Sequence, residues 1–231
     1  MNKFLSHADL DYKKRIIKAK KIKSVLDTIT KNKVKILDIG TGSGIIANYL
    51  SKDHIVTSVD MIDERTITEN YKFILVKDEI LPFLDKEFDI IISNQVIEHV
   101  NKANIHLSEI YRCLKEGGFC YLSTPNKYAL FEAHYKLPFL SWLPKNLANI
   151  YMQLIKKRSY DIYPLSYNSI LKLTSKFKIK NLTLDILRNQ NKFNLDKEYN
   201  FYSKIISFFP CSLDNFLSQL SPSWIFLLKK E

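Results

Sequence analysis

The eleven residues VKILDIGTGSG, 34–44, decide how this chain folds. Val34, Ile36, Leu37 and Ile39 make a short apolar run suited to a buried strand, and Ile45–Ser51 resumes an apolar pattern at helical spacing. Between them Gly40, Gly42 and Gly44 fall at alternate positions. The chain has five glycines, the other two being Gly117 and Gly118, so a turn that takes three of them places backbone where side chains would obstruct. Strand, glycine turn and helix in this order put a nucleotide-like ligand over the carboxyl end of a parallel sheet. Asp60 ends a second apolar run, 22 residues after Asp38, where a carboxylate can accept hydrogen bonds from both hydroxyls of a ribose. Asp78 follows a third run and can face an adenine amino group.

Working outward, Ile22, Val25, Leu26 and Ile29 recur on one helical face and predict an N-terminal helix over 15–30. His54–Asp60, Tyr71–Val76 and Phe88–Ser93 read as further strands, the last apolar enough to be covered on both faces. Leu107, Ile110, Tyr111 and Leu114 mark a helix whose C-cap falls at Gly117-Gly118, and Phe119–Ser123 is a fifth strand. This alternation predicts an α/β, doubly wound, mostly parallel sheet with crossovers on both faces. After residue 124 the rhythm breaks. Residues 125–165 hold Pro125, Pro138, Pro144 and Pro164 and many aromatics, with one helix from about Lys145 to Lys157 carrying Leu147, Ile150, Tyr151 and Leu154. A helix near Ser166–Phe177, a strand near Lys178–Leu187, a helix near Leu213–Leu220 and a strand Trp224–Leu228 finish the chain. We expect one domain: a helical cover over 1–30, a cofactor-binding core over 31–124, a lid or acceptor insertion over 125–165, and C-terminal helices and last strands over 166–231.

At 231 residues, with 46% apolar and 26% charged residues, the composition excludes wholesale disorder, and no apolar run approaches the ~20 residues that cross a bilayer. MNKFLSHADLDYKKR lacks the apolar stretch of a secretory signal, and Cys113, Cys120 and Cys211 form no CxxC pair; the expectation is a reducing cytoplasm. The net charge of +11 is unevenly spread. Residues 1–35 carry eleven Lys/Arg against three Asp/Glu and residues 145–180 eight against one, whereas 36–144 carry ten against fifteen. Such basic flanks either meet phosphates, anionic lipid or an acidic substrate, or form a solvated lysine face.

The glycine turn reads GxGxG preceded by Asp38, and Ile45 stands where a dinucleotide fingerprint would have its last glycine. VKILDIGTGSG, with SVD, LPF, FDIIISNQVIEHV and the strand after Gly117-Gly118, resembles class I S-adenosylmethionine-dependent methyltransferases over roughly residues 30–125. IISNQVIEHV is similar to the branch that contains the ubiquinone-biosynthesis O-methyltransferases, the methyltransferase type 11 group. The resemblance implies a seven-stranded Rossmann-like sheet with an inserted helical, aromatic lid, and S-adenosyl-L-methionine as cofactor. It implies that Gly40, Thr41 and Gly42, with Gly44 closing the turn, bring backbone close to the methionine part, with Asp38 near its amino group. Asp60 would hold the ribose, Met61 would lie on an adenine face, Asp78 with Glu79 would meet the adenine edge, and Asn94 and Gln95 would complete the amino-acid pocket. Asp38 capping its turn, Met61 in the core and Asp78 in a surface loop are the plainer alternatives.

A sulfonium methyl is already activated, so the protein must align an acceptor and exclude water. A hydroxyl acceptor profits from a base, and histidine suits neutral pH; the candidates are His99 in VIEHV and His134 in FEAHY, each of which could instead stabilise its own segment. Some ubiquinone-type relatives bind a divalent cation through two glutamates and a histidine in this loop. Glu98 and His99 match, but Gln95 replaces the first glutamate, which weakens a hard-cation site, so no required metal is expected. Ser93-Asn94-Gln95-Val96 also lacks the Asn/Asp-Pro-Pro-aromatic motif of base-amino methylases. Phe131, Tyr135, Leu137, Phe139, Leu140, Trp142 and Leu143, beside Lys145, Lys156, Lys157 and Arg158, suit a lid core, a greasy acceptor or a peripheral contact with the inner face of a membrane through 131–158. The reading is a methyltransferase acting on a small-molecule or lipid-linked acceptor, at a hydroxyl, by in-line displacement. A nucleic-acid-binding or RNA-modifying protein using the basic flanks, an NAD(P)-dependent oxidoreductase and an inactive cofactor-binding regulator are the competitors, and nucleic acid is not the expected partner.

Overall fold

The computed structural model describes residues 11–195 and 200–231. Its seven strands are β1 (Lys35–Ile39), β2 (Ile55–Asp60), β3 (Lys72–Leu75), β4 (Phe88–Asn94), β5 (Leu114–Pro125), β6 (Phe177–Asn181) and β7 (Ser223–Lys230). They form one sheet in the order β3-β2-β1-β4-β5-β7-β6. The first five pair in parallel, and β7 runs antiparallel between β5 and β6. The strand order reverses direction between β1 and β4, which opens a crevice at their carboxyl ends.

Alternation along the strands sorts side chains onto two faces. Ile36, Ile90, Ile92, Tyr121 and Leu227 pack with α1 (Tyr12–Leu26), α2 (Ile45–Ser51) and α6 (Thr183–Arg188). Leu37, Ile39, Ile91, Leu122 and Phe226 pack with α3 (Ala103–Cys113) and α5 (Tyr167–Leu173) on the other side. In α1, the predicted Ile22, Val25 and Leu26 are fully buried; the helix starts earlier than expected because the Asp11 carboxylate caps it by accepting the N–H groups of Lys13 and Lys14. The lid has a small core of its own, in which Leu140, Ala148, Met152, Tyr160 and Ile162 come together. No helix among the described residues is long and apolar enough to cross a membrane.

Two expectations need correction. Gly117-Gly118 is not a C-cap: α3 ends at Cys113, Leu114 is already extended, and the glycines lie within β5 where its register against β4 shifts between Phe88 and Ile90. A Cβ on Gly118 would lie 2.8 Å from the Lys115 carbonyl and 2.9 Å from that of Asp89, so a side chain there would push the strands apart. The strand expected over 178–187 stops at Asn181, whose side-chain oxygen accepts the Thr183 N–H and turns the chain into α6. The lid helix forms where expected, as α4 (Lys145–Lys156); it buries Ala148 and Met152 and leaves Leu147, Ile150 and Leu154 exposed. A further helix, α7 (Asn200–Ser207), precedes α8 (Asp214–Gln219) and was not expected from the sequence pattern.

Candidate active site

The turn after β1 is held from the neighbouring strand. Gly40 and Thr41 donate their N–H groups to the Val59 carbonyl at 2.9 and 3.3 Å, and the Gly42 N–H donates to Asp60 Oδ2 at 2.9 Å. Asp60 Oδ1 accepts the Met61 N–H at 2.8 Å. One carboxylate thus fixes both the glycine turn and the start of the loop after β2, on which Met61 stands half exposed. Gly44, at φ +79°, opens α2; a Cβ there would sit 2.2 Å from both the Ile67 carbonyl and the Tyr71 hydroxyl. The chain between β2 and β3 therefore crosses directly over Gly44, and Thr66 and Ile67 fasten it by donating to the Ser43 carbonyl at 3.0 and 3.2 Å.

Asp38 and Asn94 lie beside this turn, on adjacent strands and on the α1 face by alternation with Ile36 and Ile92. Both are almost fully buried, and Asp38 Oδ2 and Asn94 Nδ2 find no hydrogen-bond partner. An acceptor and a donor left unmet in a buried pocket cost stability unless a ligand satisfies them. Burial pushes the Asp38 carboxyl up to about 7, with the charge of Arg15 opposing and that of Asp60 adding to the shift. Arg15 comes from the first turns of α1 and is itself buried. Sequence reasoning missed it, although it is the one arginine among ten lysines in residues 1–35.

The remaining candidates divide. Gln95, at φ +60°, is tied to β5: its N–H donates to the Ser123 carbonyl at 2.8 Å and its side-chain amide to the Ser123 hydroxyl at 3.1 Å. Asp78 is exposed and accepts the Ile80 N–H, while Glu79 reaches back to accept the Asn101 N–H at 3.2 Å.

His99 and His134, 35 positions apart in the chain, meet edge to face with ring centroids 4.9 Å apart. The lid carries His134 there, and the Tyr163 N–H anchors the lid to the Glu98 carbonyl at 2.7 Å. Glu98 is fully buried. Its Oε2 accepts the Thr124 hydroxyl at 3.1 Å, its Oε1 has no partner, and burial pushes its carboxyl up to about 7. Glu98, His99 and His134 offer side-chain atoms that all lie within 4.8 Å of one another; no spacing in the chain signals that a lid histidine completes this trio. Behind His134, buried Glu132 accepts its N–H, its Nδ1 and the Tyr135 N–H. A cleft lined by His134, Tyr135, Lys156 and Arg158 opens beside the cluster.

Comparison with known proteins agrees with this architecture. The family described as "Methyltransferase domain" matches residues 9–162. The chain is similar to the ubiquinone biosynthesis O-methyltransferase of Pelagibacter ubique, 27% identical over 215 residues that cover 84% of this chain and 82% of the relative. It is also similar to that of Rickettsia akari, 28% identical over 186 residues, 74% of this chain and 70% of the relative. Among solved structures, the YcgJ protein of Bacillus subtilis superposes with a TM-score of 0.57 at 17% identity, covering 91% of this chain and 98% of that one, which supports the fold. Matched over more than half its length, the chain belongs to the methyltransferase-domain family and is a class I methyltransferase dependent on S-adenosyl-L-methionine.

Proposed function

We propose that this methyltransferase acts on a hydroxyl of a small-molecule or lipid-linked acceptor. The observation that carries the cofactor half is the pair of unmet buried atoms, Asp38 Oδ2 and Asn94 Nδ2, beside a glycine turn whose backbone Asp60 holds. An unmet acceptor and an unmet donor fit the ammonium and the carboxylate of an amino acid, and Arg15 brings a cation to the same pocket. S-adenosylmethionine, when bound, supplies a methyl group already activated on a sulfonium. Around it Gly40, Thr41 and Gly42 present backbone, Asp60 receives the ribose hydroxyls, and Met61 covers an adenine face. Asp78 meets the adenine edge; Glu79, Gln95 and Gly44 hold the surrounding loops in place.

The acceptor half rests on His99 and His134. Both stand at the carboxyl edge where acceptors enter, and His134 is the base we assign, with His99 packed against its ring. The hydroxyl reading needs no metal, because two imidazole nitrogens and a single carboxylate make a poor set for a hard cation, which prefers several oxygen ligands. The exposed apolar face of α4, bordered by Lys145, Lys156, Lys157 and Arg158, supports contact with an anionic membrane surface on the cytoplasmic side. Names of the similar proteins from Pelagibacter and Rickettsia point to the same acceptor chemistry.

Calorimetry with S-adenosylhomocysteine tests the first half, and transfer of labelled methyl to phenolic acceptors, with the product identified as a methyl ether, tests the second. A thermal shift by NADH with none by S-adenosylhomocysteine would overturn the whole reading.

A further inference from the structure

His134 is held from behind by a carboxylate that never reaches the open site. Glu132 is 1% exposed. Its Oε2 accepts two backbone N–H groups, of His134 at 2.8 Å and of Tyr135 at 2.6 Å, and its Oε1 lies 3.0 Å from His134 Nδ1. Burial alone would discharge it, but the His134 ring and these backbone donors outweigh burial and keep the carboxyl below its usual range. A charged carboxylate can only accept, so the proton of neutral His134 must sit on Nδ1. That leaves the lone pair on Nε2.

Nε2 faces Glu98 Oε1 across 4.0 Å. This is too long for a hydrogen bond, and Oε1 has no other partner. The gap is the span that one hydroxyl oxygen fills when it donates its proton to Nε2 and accepts one from Glu98, whose neutral form burial favours, lying about 2.8 Å from each atom. Thr124 holds the other Glu98 oxygen and the Tyr163 N–H holds the Glu98 backbone, so this wall of the gap is fixed from two sides.

We propose that Glu132 is a positioning residue that locks His134 as an Nε2 base, and that the acceptor's hydroxyl sits between His134 Nε2 and Glu98 Oε1. This rests on the hydroxyl reading above. As the acceptor oxygen bonds to the methyl carbon, the carbon–sulfur bond breaks, the sulfonium becomes a neutral thioether, and the hydroxyl proton moves to Nε2. Glu132 keeps its charge throughout and pairs with the imidazolium that results, as a buried carboxylate does behind other histidine bases.

The test is Glu132→Gln. Its single carbonyl oxygen is needed by the two backbone N–H groups, which turns its NH₂ toward Nδ1; the His134 proton must then move to Nε2, where it blocks the base. Long-range proton–nitrogen NMR of the full chain, with His134 assigned by its loss in His134→Gln, should find the wild-type ring protonated at Nδ1 and the Glu132→Gln ring at Nε2. With catechol as the acceptor and release of S-adenosylhomocysteine as the readout, kcat should fall at least about a hundredfold with KM little changed. Wild-type protein carrying its proton on Nε2 overturns the proposal without reference to any variant. So does Glu132→Gln that moves the proton but keeps kcat. Calorimetry with S-adenosylhomocysteine separates the two levels: wild type that binds none defeats the cofactor reading itself, whereas normal binding with an unmoved tautomer defeats only the role of Glu132.

Discussion

Asp60 Oδ2 accepts the Gly42 N–H at 2.9 Å while its Oδ1 accepts the Met61 N–H at 2.8 Å, so one side chain at the end of β2 sets two segments of the cofactor site. Asp60→Ala removes both bonds and the carboxylate that meets the ribose. Two charge-assisted bonds from the ribose hydroxyls to this carboxylate, at about 1.5 kcal/mol each, give a loss near 3 kcal/mol, or about a hundredfold in affinity. Calorimetry with S-adenosylhomocysteine should show that loss in Asp60→Ala. Asp60→Asn, which can still accept one N–H, should fall between it and wild type.

Asp38 makes cofactor binding depend on pH. Burial raises its folded carboxyl to about 7, and an ammonium group beside it favours the ionised form, so binding must release a proton when it occurs below that value. Affinity for S-adenosylhomocysteine should be flat above pH 7 and fall by up to tenfold per unit below it; calorimetry in buffers of different ionisation enthalpy counts the protons. The same shift has the opposite consequence for stability without ligand. The folded carboxyl keeps its proton between about pH 4 and 7, where the unfolded one has lost it, so folding becomes less favourable as pH rises through that window and levels off above it. Asp38→Asn should therefore raise Tm at pH 8, by up to a few kcal/mol in stability, while abolishing binding.

What the sequence disclosed and what it hid follow from the range of the interactions. β1, β2, β4 and the glycine turn were legible because Val34–Ile39, His54–Asp60 and Phe88–Ser93 are largely apolar runs, the first leading straight into Gly40, and such patterns act within a few residues. The end of α3 was misread because Gly117-Gly118 answers a constraint from Asp89 on another strand, not one from its own helix. Arg15 and Glu132 were missed for the same reason. Arg15 acts on Asp38 across 23 positions of chain, and the role of Glu132 depends on the lid folding His134 against Glu98. The outward face of α4 could not be predicted either, since an amphipathic pattern does not say which side meets water.

Gly44 is held by sterics more than by chemistry. Gly44→Ala must fit a methyl group 2.2 Å from a backbone carbonyl and a tyrosine oxygen, at a φ of +79° that alanine resists. The left-handed conformation alone costs about 1 kcal/mol, and displacing the 66–71 segment adds strain comparable to overpacking, about 1–3 kcal/mol. Denaturant unfolding of Gly44→Ala should show a loss of about 2–4 kcal/mol, and Tyr71→Phe in the same background, which removes one of the two clashing oxygens, should recover part of it.

Glu98, His99 and His134 are close enough to hold an ion, so the proposal that no metal is required needs its own measurement. If the gap between Nε2 and Oε1 is a seat for a hydroxyl, dialysis against a chelator leaves methyl transfer unchanged, and added zinc inhibits by occupying that seat. Activity lost on chelation and restored by magnesium would put a cation where we put the acceptor oxygen.

The surface of α4 gives the membrane reading a measurable size. Leu147, Ile150, Leu154 and Ile155 are all more than half exposed, Leu154 at 76%, and Lys145 at one end of the helix with Lys156, Lys157 and Arg158 at the other flank them in the chain. Burying one such side chain in a bilayer interface is worth about 1.5 kcal/mol or more, and each cation near an anionic surface about 1 kcal/mol. Ile150→Glu with Leu154→Glu should therefore cut co-sedimentation with phosphatidylglycerol-containing vesicles by well over tenfold, whereas uncharged phosphatidylcholine vesicles should bind the wild type weakly. Because Ala148 and Met152 carry the packing of this helix onto the lid, both substitutions leave the fold intact, and S-adenosylhomocysteine affinity should not change. Equal binding of wild type and the double variant would return α4 to the role of a solvated lid face and leave a soluble hydroxyl compound as the acceptor.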